Sequence, residues 1–195
     1  MIWHDVEQNT DEWMGLRLGK FTASSFKDLF AAKTTATYQK AIKKVAYERL
    51  TGESPESFKS AYMDRGHEME PLAKEAYEME TFNDVQEPGF FELNEWVGAS
   101  PDGLIGEDGL WENKAPAYNT MIDYLIKGTV PSIYIKQIQG QMWVADRKWC
   151  DFMCYHPKLK SLIIRVERDE TIISELKAKI EESIIEVKNI INKIK

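Results

Sequence analysis

At Asn83 the hydrophobic pattern of the chain changes period, and with it the kind of element the chain can build. Upstream, apolar residues recur every three or four positions. Ala41, Ile42, Val45, Ala46 and Leu50 mark one face of a helix over 38–50 that Thr51-Gly52 closes. The same reading gives helices over 11–16, over 22–30 with Thr22 or Ser24 as cap, and over 66–80. Downstream, the runs 85–93, 96–99, 103–105 and 110–115 are short, aromatic or branched, and broken by Gly, Pro and Asn, as strands of a meander are. Asp108-Gly109 lies between two of these runs and reads as a hairpin turn, with Gly accepting the positive φ that tight turns demand. Helical spacing returns over 118–127 and 131–144, followed by strands over 149–155 and 162–167. A long amphipathic helix then covers 171–194, where Ile173, Leu176, Ile180, Ile184, Val187 and Ile191 form a stripe for packing or for an oligomer contact. The order predicts an α/β (α+β) fold with a central mixed β-sheet flanked by helices. One domain over 1–195 is expected, with a helical part at 1–82, a sheet core at 83–168 and the C-terminal amphipathic helix at 169–195.

Charge and cysteine content narrow the function classes. The chain has 25 Lys and Arg against 32 Asp and Glu, a net charge of −7, which argues against a generic coat protein held to nucleic acid by a basic surplus. It leaves room for an enzyme that uses bound cations and a local basic groove. Lys20, Lys33, Lys40, Lys43 and Lys44 are either such a groove or a solvated helix face. Cys150 and Cys154 are the only thiols, too few for a disulfide framework, a four-cysteine zinc site or an iron-sulfur cluster, and they read as small buried hydrophobes. No apolar run approaches the roughly 20 residues of a membrane span, and residues 1–5 lack the basic and apolar regions of a signal peptide. A cytoplasmic protein with no membrane partner is the expectation.

The chemistry concentrates in Ser100-Pro101-Asp102-Gly103 and, nine residues on, Glu112-Asn113-Lys114. Residues two apart on a strand share a face, so Glu112 and Lys114 project together while Asn113 turns away and leaves its backbone carbonyl at the same edge. A turn at Asp108-Gly109 folds the preceding strand back and brings Asp102 beside Glu112. Two close carboxylates repel unless a divalent cation lies between them, and hard oxygen donors suit magnesium, with manganese as substitute. Such an ion activates water for attack on a phosphodiester, and Lys114 supplies a positive charge near the nucleophile or the scissile phosphate.

This is the pattern of the PD-(D/E)xK nucleases, here as Pro101-Asp102 and Glu112-x-Lys114. Further blocks stand in order around it: Trp13, Arg17, Gly19 and Thr22-Ala23-Ser24; then 65–73, RGHEMEPLA; then Gln137-Ile138-Gln139 followed by Met142-Trp143-Val144. Together they resemble the lambda-type phage exonucleases, the YqaJ-like viral recombinase nucleases, over most of the chain. The resemblance implies a restriction-endonuclease-like core. Asp102, Glu112 and Lys114 match the catalytic metal ligands and lysine, Asn113 gives its carbonyl to the metal, and Glu70 matches an additional acidic residue near it. By its own pattern Glu70 lies among Glu68, Glu75, Glu78 and Glu80 on a helix and reads equally as part of a solvated face. Arg17, Ser24, Ser100 and Gln137 match positions that hold a terminal 5′-phosphate. Gln137 and Gln139 point roughly 200° apart on a helix, so only one of them faces the site, and Gln137 is expected there. Met63 matches an apolar residue that wedges the duplex end, against the plain reading of a core side chain. His4, His67 and His156 are scattered and read as structural or exposed.

The activity implied is that of a Mg2+-dependent exonuclease (Mn2+ substituting), which degrades the 5′-ended strand of linear double-stranded DNA to 5′-mononucleotides and leaves 3′ single strands for recombination by strand annealing. The resemblance also implies double-stranded DNA ends as partner, a homotrimeric ring, a single-strand annealing protein, and a phage or prophage origin in a bacterial host. Two other readings stay open on the residues. One is a structure- or site-specific endonuclease on the same core; the other is a non-catalytic DNA-binding module, against which the retained Asp102, Glu112 and Lys114 argue.

Overall fold

The computed structural model describes residues 1–55 and 61–195, and the side chains of all of these but 61–65 and 67. Among the described residues, two four-stranded sheets stand where the sequence predicts one. The first is built from β1 (Ile2–His4), β2 (Phe21–Thr22), β3 (Phe90–Asn94) and β4 (Val97–Ala99) in the order β1-β3-β4-β2, with β2 parallel to β4. The second is β5 (Gly103–Ile105), β6 (Gly109–Lys114), β7 (Trp149–Cys154) and β8 (Leu162–Glu167) in chain order, with β6 and β7 parallel and the outer pairs antiparallel. Strands β1 and β2 have three and two residues, too few to show a period. The run 85–93 divides, because Pro88-Gly89 leaves only a bridge from Gln86 to Leu104 before β3 begins.

Among the described residues, six α-helices surround the sheets: α1 (Asp11–Arg17), α2 (Ala36–Thr51), α3 (Ala61–Thr81), α4 (Tyr118–Lys127), α5 (Ser132–Val144) and α6 (Glu170–Ile194). Caps set several boundaries. Thr10 accepts from Trp13 N–H and Asp169 from the N–H groups of Thr171 and Ile172, each satisfying donors that the first turn leaves free. Helix α2 ends at Gly52, whose φ of 73° returns its N–H to Glu48. The segment Ala23–Phe30 is a 3₁₀ helix, and Thr22 at its start makes no capping bond with its side chain.

The hairpin between β5 and β6 departs from expectation in its detail. Positive φ falls at Gly106 (52°) and not at Gly109. Gly109 already lies in β6, and a Cβ there would stand 2.3 Å from the ring of Trp149, so close packing is what requires glycine.

Strand β6 is the centre of the packing, and its two faces meet different helices. Leu110, with Cys150, Phe152 and Cys154 of β7, joins the main core, to which α2, α5 and α6 contribute Ile42, Val45, Ile138, Met142, Leu176, Ile180 and Val187. The stripe of α6 therefore packs inward. Trp111 and Met153, on the other face, pack with Ala73 and Tyr77 of α3. The same face holds Asp151, which takes two bonds from Arg165 at 2.8 and 2.9 Å and one from the Tyr77 hydroxyl at 2.6 Å. No described helix is long and apolar enough to cross a membrane.

Candidate active site

Alternation along β6 sends Glu112 and Lys114 to the face that α5 covers. Lys114 Nζ donates to Glu112 Oε1 and lies 5.5 Å from the centroid of the Tyr134 ring. Glu112 is fully buried, and two amides of α5 complete its shell: Gln137 Nε2 donates to Oε1 and Gln141 Nε2 to Oε2 at 2.7 Å. A buried carboxylate persists only when paired and hydrogen-bonded; here three donors supply that.

Asp102 precedes β5, and the β5–β6 register, with Gly103 opposite Trp111, carries it alongside Glu112 and Asn113. Its Oδ2 accepts the Asn113 backbone N–H at 2.8 Å. Burial holds the Asp102 carboxyl well above the usual carboxylate range, and the charges of Glu112 and Glu70 push the same way, against Lys114 and the Asn113 bond. Burial works to lower the Lys114 ammonium, but Glu112 and Asp102 outweigh it and raise it above its ordinary value, which favours the charged form. Glu70 lies on α3, one turn before Ala73 and two before Tyr77, near enough for its charge to bear on Asp102.

The donor set suits a hard divalent ion. Asp102 and Glu112 offer carboxylate oxygens whose mutual repulsion a cation would relieve, and Asn113, next after Glu112 on β6, offers a backbone carbonyl. Among the described residues no three His, Cys, Asp or Glu side chains form a preassembled metal cluster. A two-carboxylate set is the kind that magnesium, which retains several waters, accepts.

The expected phosphate residues divide. The Arg17 guanidinium stacks 4.0 Å from the Trp13 centroid, Trp13 Nε1 donates to Ser100 Oγ at 2.8 Å, and Ser100 donates to the Gly89 carbonyl at 2.6 Å. Arg17 and Ser100 are thus joined through Trp13. Arg17 also reaches the Thr22 hydroxyl at 3.5 Å, and burial lowers its pKa to about 10, with Glu48 opposing. No carboxylate forms an ion pair with it among the described residues. Arg17, Lys20, Thr22, Lys44 and Glu48 line a cavity of about 250 Å³ between α1 and α2. Ser24 is exposed on the 3₁₀ helix. Gln137 faces the carboxylate site and spends one N–H on Glu112. Gln139 turns away as expected: its amide joins the Glu167 carbonyl to the Asp169 N–H, bracing the β8–α6 junction. Met63 lies outside the residues whose side chains are described. Gln141 was not anticipated, although its spacing of four from Gln137 places both amides on one helix face.

The YqaJ-like viral recombinase domain matches residues 12–148. The alkaline exonuclease LHK-Exo from Laribacter hongkongensis, with a crystal structure also solved in complex with dAMP, is 36% identical, with a TM-score of 0.88 over 95% of this chain and 96% of its own. A phage-related exonuclease from Haemophilus somnus 129PT shares the fold at 17% identity, with a TM-score of 0.68 over 93% of this chain and 100% of its own. No curated protein sequence matches significantly. The chain belongs to the YqaJ-like viral recombinase domain family.

Proposed function

We propose that this protein is a divalent-metal-dependent exonuclease that enters linear double-stranded DNA at a 5′-phosphorylated end and removes 5′-mononucleotides, leaving a 3′ single strand. The observation that carries the reading is the convergence of Asp102, buried Glu112 and Lys114 at one end of the β5–β6 hairpin. Kinship with LHK-Exo, an alkaline exonuclease that binds dAMP, supports the nuclease class and a nucleoside monophosphate as product.

Asp102, Glu112 and the Asn113 carbonyl would hold Mg2+ or Mn2+, with Glu70 nearby. When bound, the ion supplies an activated water and stabilises charge on the phosphate and leaving oxygen. Lys114, anchored by Glu112, keeps a positive charge beside the scissile phosphate without itself needing to gain or lose a proton. Arg17 is a half-buried cation that forms no ion pair among the described residues, so a terminal phosphate that binds it gains a charge-assisted contact. Ser100, joined to it through Trp13, would add a hydroxyl by turning its proton from the Gly89 carbonyl to the phosphate.

In the cell the protein would act in the bacterial cytoplasm as a homotrimeric ring around its DNA and hand the 3′ strand to a single-strand annealing protein. A chain of net charge −7 would then turn its basic residues toward the DNA. Digestion of linear duplexes labelled on one strand, compared with covalently closed circles, tests the reading. Loss of the 5′-ended strand as mononucleotides, with circles intact, is expected. Cutting of circles would replace it with an endonuclease, and absence of cutting with either metal would leave a non-catalytic module.

A further inference from the structure

Gln141 is 1% exposed, sits in the last turn of α5, and its side chain donates to Glu112 Oε2 at 2.7 Å. Only the NH2 end of an amide can donate to a carboxylate, so this bond fixes which way the amide lies. The other end, Oε1, is buried and has no partner among the described residues. Burying an unpartnered carbonyl oxygen costs stability, a cost that an apolar side chain of the same length would avoid. The packing of α5 therefore does not call for an amide here; the Glu112 carboxylate does.

What the bond does follows from the other contacts of Glu112. Lys114 and Gln137 both approach Oε1. With those alone the carboxylate could rotate about its last bond and present either oxygen to Lys114. Gln141 holds Oε2, the oxygen those two leave, and a donor on each oxygen sets the carboxylate plane. We propose that Gln141 is a positioning residue, which fixes the orientation of the Glu112 carboxylate for a divalent cation. The inference rests on the reading of Glu112 as a metal ligand. Gln139, two residues earlier and 2% exposed, is the internal control, since its amide bonds only backbone at the β8–α6 junction.

The test is calorimetric titration of Mn2+ into the complete, DNA-free protein, for the wild type, Gln141→Met, Gln139→Met and Glu112→Gln. Gln141→Met keeps the side-chain length and removes the donor, and is expected to weaken Mn2+ binding by about tenfold or more. Gln139→Met is expected to lower the melting temperature while leaving Mn2+ affinity as in the wild type. Should Gln141→Met fail to fold, Gln141→Asn, an amide too short to reach Oε2, is expected to give the same weakening. Wild-type affinity in a folded Gln141 variant, or a loss no greater than in Gln139→Met, overturns the proposal. Unchanged binding in Glu112→Gln overturns instead the metal-ligand reading on which it rests.

Discussion

The Asn113 backbone N–H donates to Asp102 Oδ2 at 2.8 Å, so the strand that presents Glu112 and Lys114 also holds the third member of the site. The hairpin register thus sets the distances between all three, and no separate loop has to bring Asp102 into place. The arrangement stores repulsion: buried Glu112 stands beside half-buried Asp102, and Asp102 is the one pushed toward its neutral form.

That repulsion gives stability a definite pH dependence. A carboxyl whose folded pKa is raised binds a proton more tightly in the folded than in the unfolded chain. Its contribution is fully present below the unfolded value of roughly 3.9 and is lost as pH rises through the folded value. Asp102→Asn, which retains an oxygen to accept from Asn113, should therefore melt above the wild type at pH 7 to 8 in chelator, with the gap closing toward pH 4. Thermal melts across that range check it; a variant less stable at every pH would contradict it.

Arg17→Ala should erase discrimination between 5′-phosphate and 5′-hydroxyl ends, since a buried charge-assisted contact to phosphate contributes about 1.5–3 kcal/mol. Initial rates on the two substrates give the ratio directly. An undiminished preference would remove Arg17 from end recognition.

Gln139→Leu should destabilise the fold by about 2 kcal/mol, because the Glu167 carbonyl and the Asp169 N–H lose their partners where β8 passes into α6. Urea denaturation measures this, and a change below about 0.5 kcal/mol would show that the junction does not depend on the amide.

Cys150 and Cys154 are buried, burial raises both thiols, and Cys154 is pushed up to about 12. At pH 8 its thiolate fraction should be about a thousandfold below that of a free cysteine. A thiol-disulfide exchange reagent should therefore label neither residue in the native protein and both in denaturant. Rapid native labelling would contradict the packing of β7.

The sequence made the hairpin chemistry legible because strand alternation is a short-range rule: Glu112 and Lys114 two apart must share a face, and a turn between 105 and 109 must return Asp102 to them. The turn chemistry itself was misassigned to Gly109, whose reason for being glycine is the Trp149 ring forty residues away. The second sheet was hidden for a related reason, since β1 and β2 are specified by their partners β3 and β4 and not by any pattern of their own. Gln137 was recognisable, yet its bond to Glu112 and the role of Gln141 depend on where α5 crosses β6, which no local pattern records. Arg17 and Trp13 stand in one sequence block and Ser100 in another, and only the fold joins them in a chain of contacts.

The central claim is tested most directly by Lys114→Ala in single-turnover digestion of a 5′-phosphorylated linear duplex with saturating magnesium. Loss of one preorganised charge at a transition state predicts a cleavage rate lower by about 10²–10³-fold or more, with DNA and metal binding largely retained. A variant that binds DNA and cleaves it at a near wild-type rate would contradict the assignment of Asp102, Glu112 and Lys114 as the hydrolytic centre.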